Sequence, residues 1–487
     1  MLPFNELPAS LRLPGVYIEI DNSLAAQAEQ QFKLLVIGQR LSTGAVAEGV
    51  PTRITNYNQA EEAFGRGAML AEMFRKIKDV DRYTETWGIA LDDDVAGGEA
   101  AGSVDMPGTA TESGTFTLYV GGTKVRAAVA SGDSGEDVAT ALAAAINADT
   151  TLPVTASVNG VTATQVDITC RWKGETGNDI DLRMNYYGEK TPKGITVTIT
   201  PMSGGTANPD IATAIAAMGD EWYNWIVMPF SDTANLVALE AELDGRYGPM
   251  QQKGGRAFAA YRGSHADTGT FGGTRNSPHV TCMGTNILPT PPYLFAAINA
   301  IAAANPLALD PARPLQTLWL EGVLPPAIED RWDDAERNLL LYDGIATYRV
   351  TKDGRCLIER QITMYQYNDV GVEDISYLDI NRPETLERIR YEQRARVALL
   401  FPRHKLSDDN DAAFAPGQPI VTDDVLRGEL LALYQVFIER GWCDDYEGYA
   451  ASIITEIDTA SGRANWKDEP RLVGQARTFA GLTQFRI

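Results

Sequence analysis

The 487-residue chain has only three histidines, His265, His279 and His404, which leaves little material for the commonest general base. Its four cysteines, Cys170, Cys282, Cys356 and Cys443, stand far apart and form no Cys-x-x-Cys pair. A disulfide framework or a zinc site is therefore not expected, and reduced packing thiols are. Positive charge is also scarce, with 42 Lys and Arg against 65 Asp and Glu and a net charge of −23. That argues against nucleic acid or an anionic membrane as the main partner. No apolar run is long and clean enough to suggest direct membrane insertion: Tyr293–Leu309 is interrupted by Asn299, Asn305 and Pro306. The opening Met-Leu-Pro-Phe-Asn-Glu has no basic region followed by an apolar stretch, so no signal peptide is expected.

Motifs for chemistry are equally thin. Ser264-His265-Ala266-Asp267 holds the letters of a hydrolytic triad, but neighbours on one turn point apart, whereas triads assemble from separated segments. The plain reading is a polar surface loop. Gly65–Gly67 lacks a strand leading into it, and Thr268–Gly273 lacks the lysine of a phosphate-binding loop. Asp92-Asp93-Asp94 reads as solvated linker rather than a cation site. No catalytic residue, cofactor or metal is expected. An α/β hydrolase with an appended β module is the alternative to weigh, and an adhesin with long β repeats is a weaker one.

What the chain does have is alternation. In Leu13–Ile20, Val16, Ile18 and Ile20 share one face of a strand, and Tyr17 and Glu19 share the other. Pro14-Gly15 detaches it from what precedes, and polar Asp21–Gln31 separates it from the next strand. It is either the first strand of its own domain or a strand offered to another subunit's sheet. Phe32–Gly38 reads as a buried strand of an α/β layer. Helices at Asn58–Phe64 and Ala68–Ile77 and a strand at Thr86–Leu91 follow.

Asp92–Gly114 reads as linker, and about Thr115–Pro201 as a self-contained β-rich module. Within it, Gly121-Gly122 and Asn159-Gly160 are hairpin turns, and Ser134 with Asp137 forms a capping box. Alternating strands and helices then resume from Asn208, indicating a mostly parallel sheet. Beyond Asn381, helices at Pro383–Leu400 and Asp423–Arg440 precede strands at Ala451–Ile457 and Leu472–Phe479 and an extended end, Leu482–Ile487. The expected fold is an α/β core with an inserted β-rich module and an α+β C-terminal domain. The boundaries are 1–31 for an N-terminal arm and linker, 32–92 plus 206–380 for the core, 93–205 for the insertion, 381–479 for the last domain and 480–487 for a C-terminal arm.

One basic stretch stands out. Arg382–Lys405 carries seven basic residues against three acidic ones. Leu386, Ile389, Val397 and Leu400 share a helical face there, flanked by Arg388, Arg390, Arg394 and Arg396. These arginines either pair with glutamates of their own chain or dock an acidic partner.

The segment from Arg337 to Tyr365 (Arg-Asn-Leu-Leu-Leu-Tyr-Asp-Gly-Ile-Ala-Thr-Tyr-Arg-Val-Thr-Lys-Asp-Gly-Arg-Cys-Leu-Ile-Glu-Arg-Gln-Ile-Thr-Met-Tyr) and Asp374–Ile380 resemble the tail sheath protein of contractile-tailed bacteriophages, in its Mu-like branch. Pro14-Gly-Val-Tyr17 and Phe32–Gly38 stand where that family carries its N-terminal arm and first core strand. The resemblance implies a non-enzymatic virion protein, made in the host cytoplasm, whose central domain is subtilisin-like in shape only. It implies hexameric rings stacked helically around a tail tube, and contraction that drives the tube through the host envelope during genome ejection. The implied partners are other copies of the chain, the tube protein, and baseplate and tail terminator proteins. It further implies that Val16, Tyr17, Ile18 and Ile20 form one arm and Leu482, Phe485 and Ile487 the other. Both would be received by Ala451–Ile457 and Leu472–Phe479 of a neighbour, with Gly481 as a hinge and Asp21–Gln31 spanning roughly 30–35 Å when extended. The helix bearing Arg388, Arg390, Arg394 and Arg396 would face the tube, and the insertion would face outward.

Overall fold

The structure is a computed structural model that describes residues 31–486 apart from 409, 411–413 and 416. Val16, Tyr17, Ile18, Ile20 and Ile487 lie outside the described residues. The chain divides into two compact units, one of Phe32–Glu387 with the segment from Leu472 onward, the other containing Arg388–Arg471.

The first unit is built on β1 (Lys33–Gln39), where Leu34, Leu35, Val36 and Ile37 are fully buried. A strand covered on both faces has no use for polar alternation, which is why this one reads as a continuous apolar run. The other strands of its sheet are β2 (Thr52–Ile54), β3 (Glu85–Leu91), β4 (Trp225–Val227), β5 (Arg256–Tyr261) and β6 (Val280–Gly284). The order is β6-β5-β4-β1-β3-β2, all parallel except β2, which runs antiparallel along β3. Leu34 faces Trp225 on one side and Thr86 on the other, so β1 sets the register of both neighbours. A Cβ on Gly88 of β3 would lie 2.7 Å from the Phe64 ring and 2.8 Å from that of Phe74, so only glycine lets these stacked rings close over the sheet.

Helices α1 (Met69–Val80) and α2 (Pro292–Leu309) pack on each other, and α2 lies along β5, β4 and β1. α2 is apolar almost all round and would suffice in length and composition to cross a bilayer, but 72% of that window is buried inside the protein. It runs on through Pro306 to Leu309. The fixed φ of proline suits the helix, and only one backbone hydrogen bond is forgone.

Between β3 and β4 the chain builds a second pair of antiparallel sheets. Thr198–Ser203, Glu99–Asp105, Gln165–Lys173 and Val154–Val158 form one, and Thr123–Val129, Gly114–Val120 and Leu182–Met184 the other. Helix Gly135–Ala148 packs against strands of both. Its capping box is complete: Ser134 Oγ accepts from Asp137 N, and Asp137 accepts from Ser134 N at 2.9 Å. Gly121 and Gly122 take φ of 54° and 81°, the left-handed pair that a tight two-residue hairpin requires. Two expectations need correction. Asp92–Gly114 is not merely linker, because Glu99–Asp105 is an internal strand paired on both sides. Its inward residues Ala100, Gly102 and Val104 are too small to give a strong apolar alternation. Nor is the module self-contained: Phe116, Leu142 and Trp172 belong to the same buried cluster as β1.

The carboxyl of Glu72, on α1, accepts a hydrogen bond from the buried Tyr293 hydroxyl of α2 at 2.9 Å. Burial pushes Glu72 up to about 7, with the Tyr293 bond and nearby Lys76 and Arg75 opposing the shift. The folded protein thus holds this proton more tightly than the unfolded chain. The resulting stabilisation is complete below pH 4.5 and is lost as pH rises through 7. Glu72→Gln keeps an acceptor for Tyr293 and removes the titration. Unfolding free energies of variant and wild type should agree near pH 4, and by pH 8 the variant should lead by up to about 3 kcal/mol.

Candidate functional site

The triad-like letters turn out to start a helix. Ser264 caps His265–Gly273: its Oγ accepts from Asp267 N at 3.2 Å and donates to Asp267 Oδ2 at 2.7 Å. His265 Nε2 lies 2.9 Å from the Glu336 carbonyl instead of turning toward Ser264. The stretch expected to be a loop is therefore a capped helix, and its hydroxyl is held by a carboxylate, not by an imidazole. Asp92, Asp93 and Asp94 likewise diverge, to Arg40 Nε, Gln39 Nε2 and the Ala96 amide. Among the described residues no cluster of His, Cys, Asp and Glu is arranged to hold a metal.

Open strand edges and exposed apolar side chains lie elsewhere. In the unit Arg388–Arg471, helix α4 (Asp423–Glu439) presents Leu426, Leu430, Leu433, Tyr434 and Phe437 to the interior. Thr422 caps it by accepting from Val425 N. Tyr434 stacks on Tyr449 with ring centroids 3.6 Å apart, and Tyr449 Oη donates to Asp468 at 2.9 Å. On α4 rests an antiparallel hairpin of β7 (Ile454–Asp458) and β8 (Arg463–Lys467). Ile457 points inward, whereas Ile454 is exposed. The turn is held by Asp458, whose Oδ1 accepts from the amides of Ala460 and Ser461, and by Gly462 at φ 69°. Among the described residues this sheet has only two strands, so neither outer edge is paired.

The expected receiving strands are thus corrected. Tyr446–Ser452 is helical, so the first strand begins at Ile454, not Ala451. Leu472–Phe479 is not a strand beyond Leu472, and the partner of the first strand is Arg463–Lys467. The Ala460-Ser461-Gly462 turn was the signal for it, but Ala464 and Trp466 alone give too short an alternation to stand out.

After Leu472 the chain is fastened to the first unit by Gln475 Nε2, which donates to the Ala312 carbonyl at 2.8 Å, and by Arg477, 3.1 Å from Asp379. From Thr478 to Arg486 every residue is exposed and none is in regular structure. Phe479, Leu482 and Phe485 are 89%, 87% and 82% exposed.

The four arginines all fall on α3 (Asn381–Leu400). Arg388 lies 3.5 Å from Glu392 and over the Trp442 ring, Arg396 reaches Glu429 of α4 at 2.9 Å, and Arg394 lies over Tyr391. Arg390 also makes an intramolecular interaction. Pairing within the chain is therefore the immediate role of Arg388 and Arg396.

Residues 204–364 match the family model described as the phage tail sheath protein central domain. Across 488 aligned positions, and 99% of both chains, the sequence is 43% identical to the tail sheath protein of the Mu-like prophage FluMu of Haemophilus influenzae. Two solved structures are similar. One is the sheath tail protein of Desulfitobacterium hafniense, at 14% identity and a TM-score of 0.48 over 94% of this chain and 100% of that one. The other is a chain of the anti-feeding prophage baseplate, at 11% identity and a TM-score of 0.47 over 98% of this chain and 100% of that one.

The Arg396–Glu429 pair makes its own prediction. Arg396→Glu sets two carboxylates against each other and should lower stability by about 1 kcal/mol. Adding Glu429→Arg should restore most of that loss in a double-mutant cycle read by chemical denaturation.

Proposed function

The chain belongs to the tail sheath protein family of Mu-like phages, and from that premise we propose that its copies polymerise around a tail tube and contract to drive that tube through the host envelope during genome ejection. It is a structural protein of the virion's tail and not an enzyme. Its partners are other copies of itself in hexameric rings stacked as a helix, the tube protein it encloses, and the baseplate and terminator proteins at the two ends.

The observation that carries this reading is the juxtaposition of a need and a supply. Among the described residues the hairpin of β7 and β8 has two unpaired edges, and the segment from Thr478 to Arg486 is exposed, irregular and studded with large apolar side chains. Open strand edges are a liability in a monomer and a template in a polymer. Leu482, Phe485 and Ile487 of one copy would add along one edge, and Val16, Tyr17, Ile18 and Ile20 of another along the other. Each added strand supplies about four to six backbone hydrogen bonds at a net ~1 kcal/mol each, modest per joint and large when repeated.

Residues 32–92 with 206–380 then serve as the sheath core, of subtilisin-like shape, supported by the largely parallel six-stranded sheet. The 93–205 module faces outward, the region 381–479 faces the tube and receives the arms, and 1–31 and 480–487 are the arms themselves. Arg388, Arg390, Arg394 and Arg396 form the tube-facing charge.

Deleting Leu482–Ile487 should leave a folded, soluble protein that forms no tubes by negative-stain microscopy; normal tubes from the truncated chain would dismiss the arm. Arg390→Glu with Arg394→Glu should weaken co-sedimentation with the tube protein at low salt while sparing sheath–sheath contacts. Undiminished co-sedimentation would assign the tube contact to another surface.

A further inference from the structure

A cavity of about 300 Å³ opens at the carboxyl end of β6, bounded by the segment following Asp330 and by strand Thr347–Val350. Its shape is set in advance. Asn286 takes a left-handed φ of 53° as the chain leaves β6, and its Nδ2 donates to the Asp330 carbonyl. Tyr348 closes the floor, buried between β6 and the cavity.

Three guanidinium groups line this space, Arg331, Arg337 and Arg349, and they are engaged very unequally. Arg337 is saturated: Nε donates to Glu359 at 2.8 Å, Nη1 to the Trp332 carbonyl at 2.6 Å, and Nη2 to Asp334 and Glu359. Arg331 makes a single long bond, from Nε to the Pro326 carbonyl at 3.3 Å, which leaves both terminal nitrogens without an acceptor among the described residues. The Arg349 side chain is exposed, and its guanidinium has no hydrogen-bond or ion-pair partner among the described residues. The acidic residues of the wall are Asp334, already held by Arg337, and Asp330. In a chain with 65 carboxylate side chains, arginines are not left unpaired for want of partners. The flat Trp332 ring beside them adds an apolar wall of the kind that small-ligand pockets combine with a few convergent polar groups.

We propose that this cavity is a binding site for a small oxyanion group, a carboxylate or phosphate, gripped by the free ends of Arg331 and Arg349. A guanidinium presents parallel N–H donors whose spacing matches two oxygens of such a group, and a second guanidinium supplies the remaining charge. The group is either a free anion or a carboxylate side chain carried by a second copy of the chain. The site stands on its own residues and does not require the assembly reading above.

The test is calorimetric titration of the full-length soluble protein with inorganic phosphate and with glutarate at low ionic strength. Saturable binding of at least one probe is expected. Arg331→Gln with Arg349→Gln should weaken it tenfold or more without changing the melting temperature, while Arg53→Gln, remote in the fold, should leave it unchanged. Absence of saturable binding by both probes, or binding indifferent to the double substitution, overturns the site. The source is separated by repeating the titration on assembled tubes. Uptake retained in tubes identifies a free anion, and uptake lost there identifies a neighbour's carboxylate already in place.

Discussion

The parallel pairing of β1 with β3 and β4 is the constraint on which the first unit depends. Leu34, Leu35, Val36 and Ile37 lose all contact with water, and each such burial contributes about 1.5–3 kcal/mol before entropy is set against it. The two strands that flank β1 are also the two ends of the large insertion, since the chain leaves the sheet after Leu91 and returns at Trp225. An insertion of that length is tolerable because it folds upon itself and shares its buried side chains with the sheet, so little of it behaves as an open loop.

The unit Arg388–Arg471 is organised by the opposite condition. A two-stranded hairpin is marginal by itself. This one is held by Ile457 against α4 and by the Asp458 turn, not by further strands. Among the described residues neither of its outer edges is paired. Open strand edges of this kind are a template for a further strand, which is the premise of the arm exchange proposed above. The exposed Phe479, Leu482 and Phe485 pose the same demand from the apolar side.

Charge follows a similar division. Within an acidic protein the basic helix α3 directs Arg388 to Glu392 and Arg396 to Glu429, so much of its positive charge is neutralised at home. The guanidiniums of Arg331 and Arg349 are not neutralised in this way, although the neighbouring Arg337 is fully bonded. Composition counts all these arginines alike; only their placement separates those that hold the fold from those with donors to offer.

Features set by near neighbours were legible in the residues. The buried run at β1, the Gly121-Gly122 turn, the Ser134–Asp137 capping box and the segment Arg337–Tyr365 with its family resemblance each depend on a few adjacent side chains. What was misread depends on distant ones. Glu99–Asp105 is a strand because Thr198–Ser203 and Gln165–Lys173 lie on either side of it, and its small residues give no local sign. Leu472–Phe479 alternates like a strand but is drawn off by Ala312 and Asp379. Ser264-His265-Ala266-Asp267 resembles a catalytic set until its serine is seen to cap a helix and to donate its hydroxyl to Asp267. The family resemblance, the acidic character and the elements whose hydrogen bonds close within a few residues can be read from the residues alone. Which strand edges and which guanidiniums find partners among the described residues is legible only in three dimensions, because those partners lie tens to hundreds of residues away.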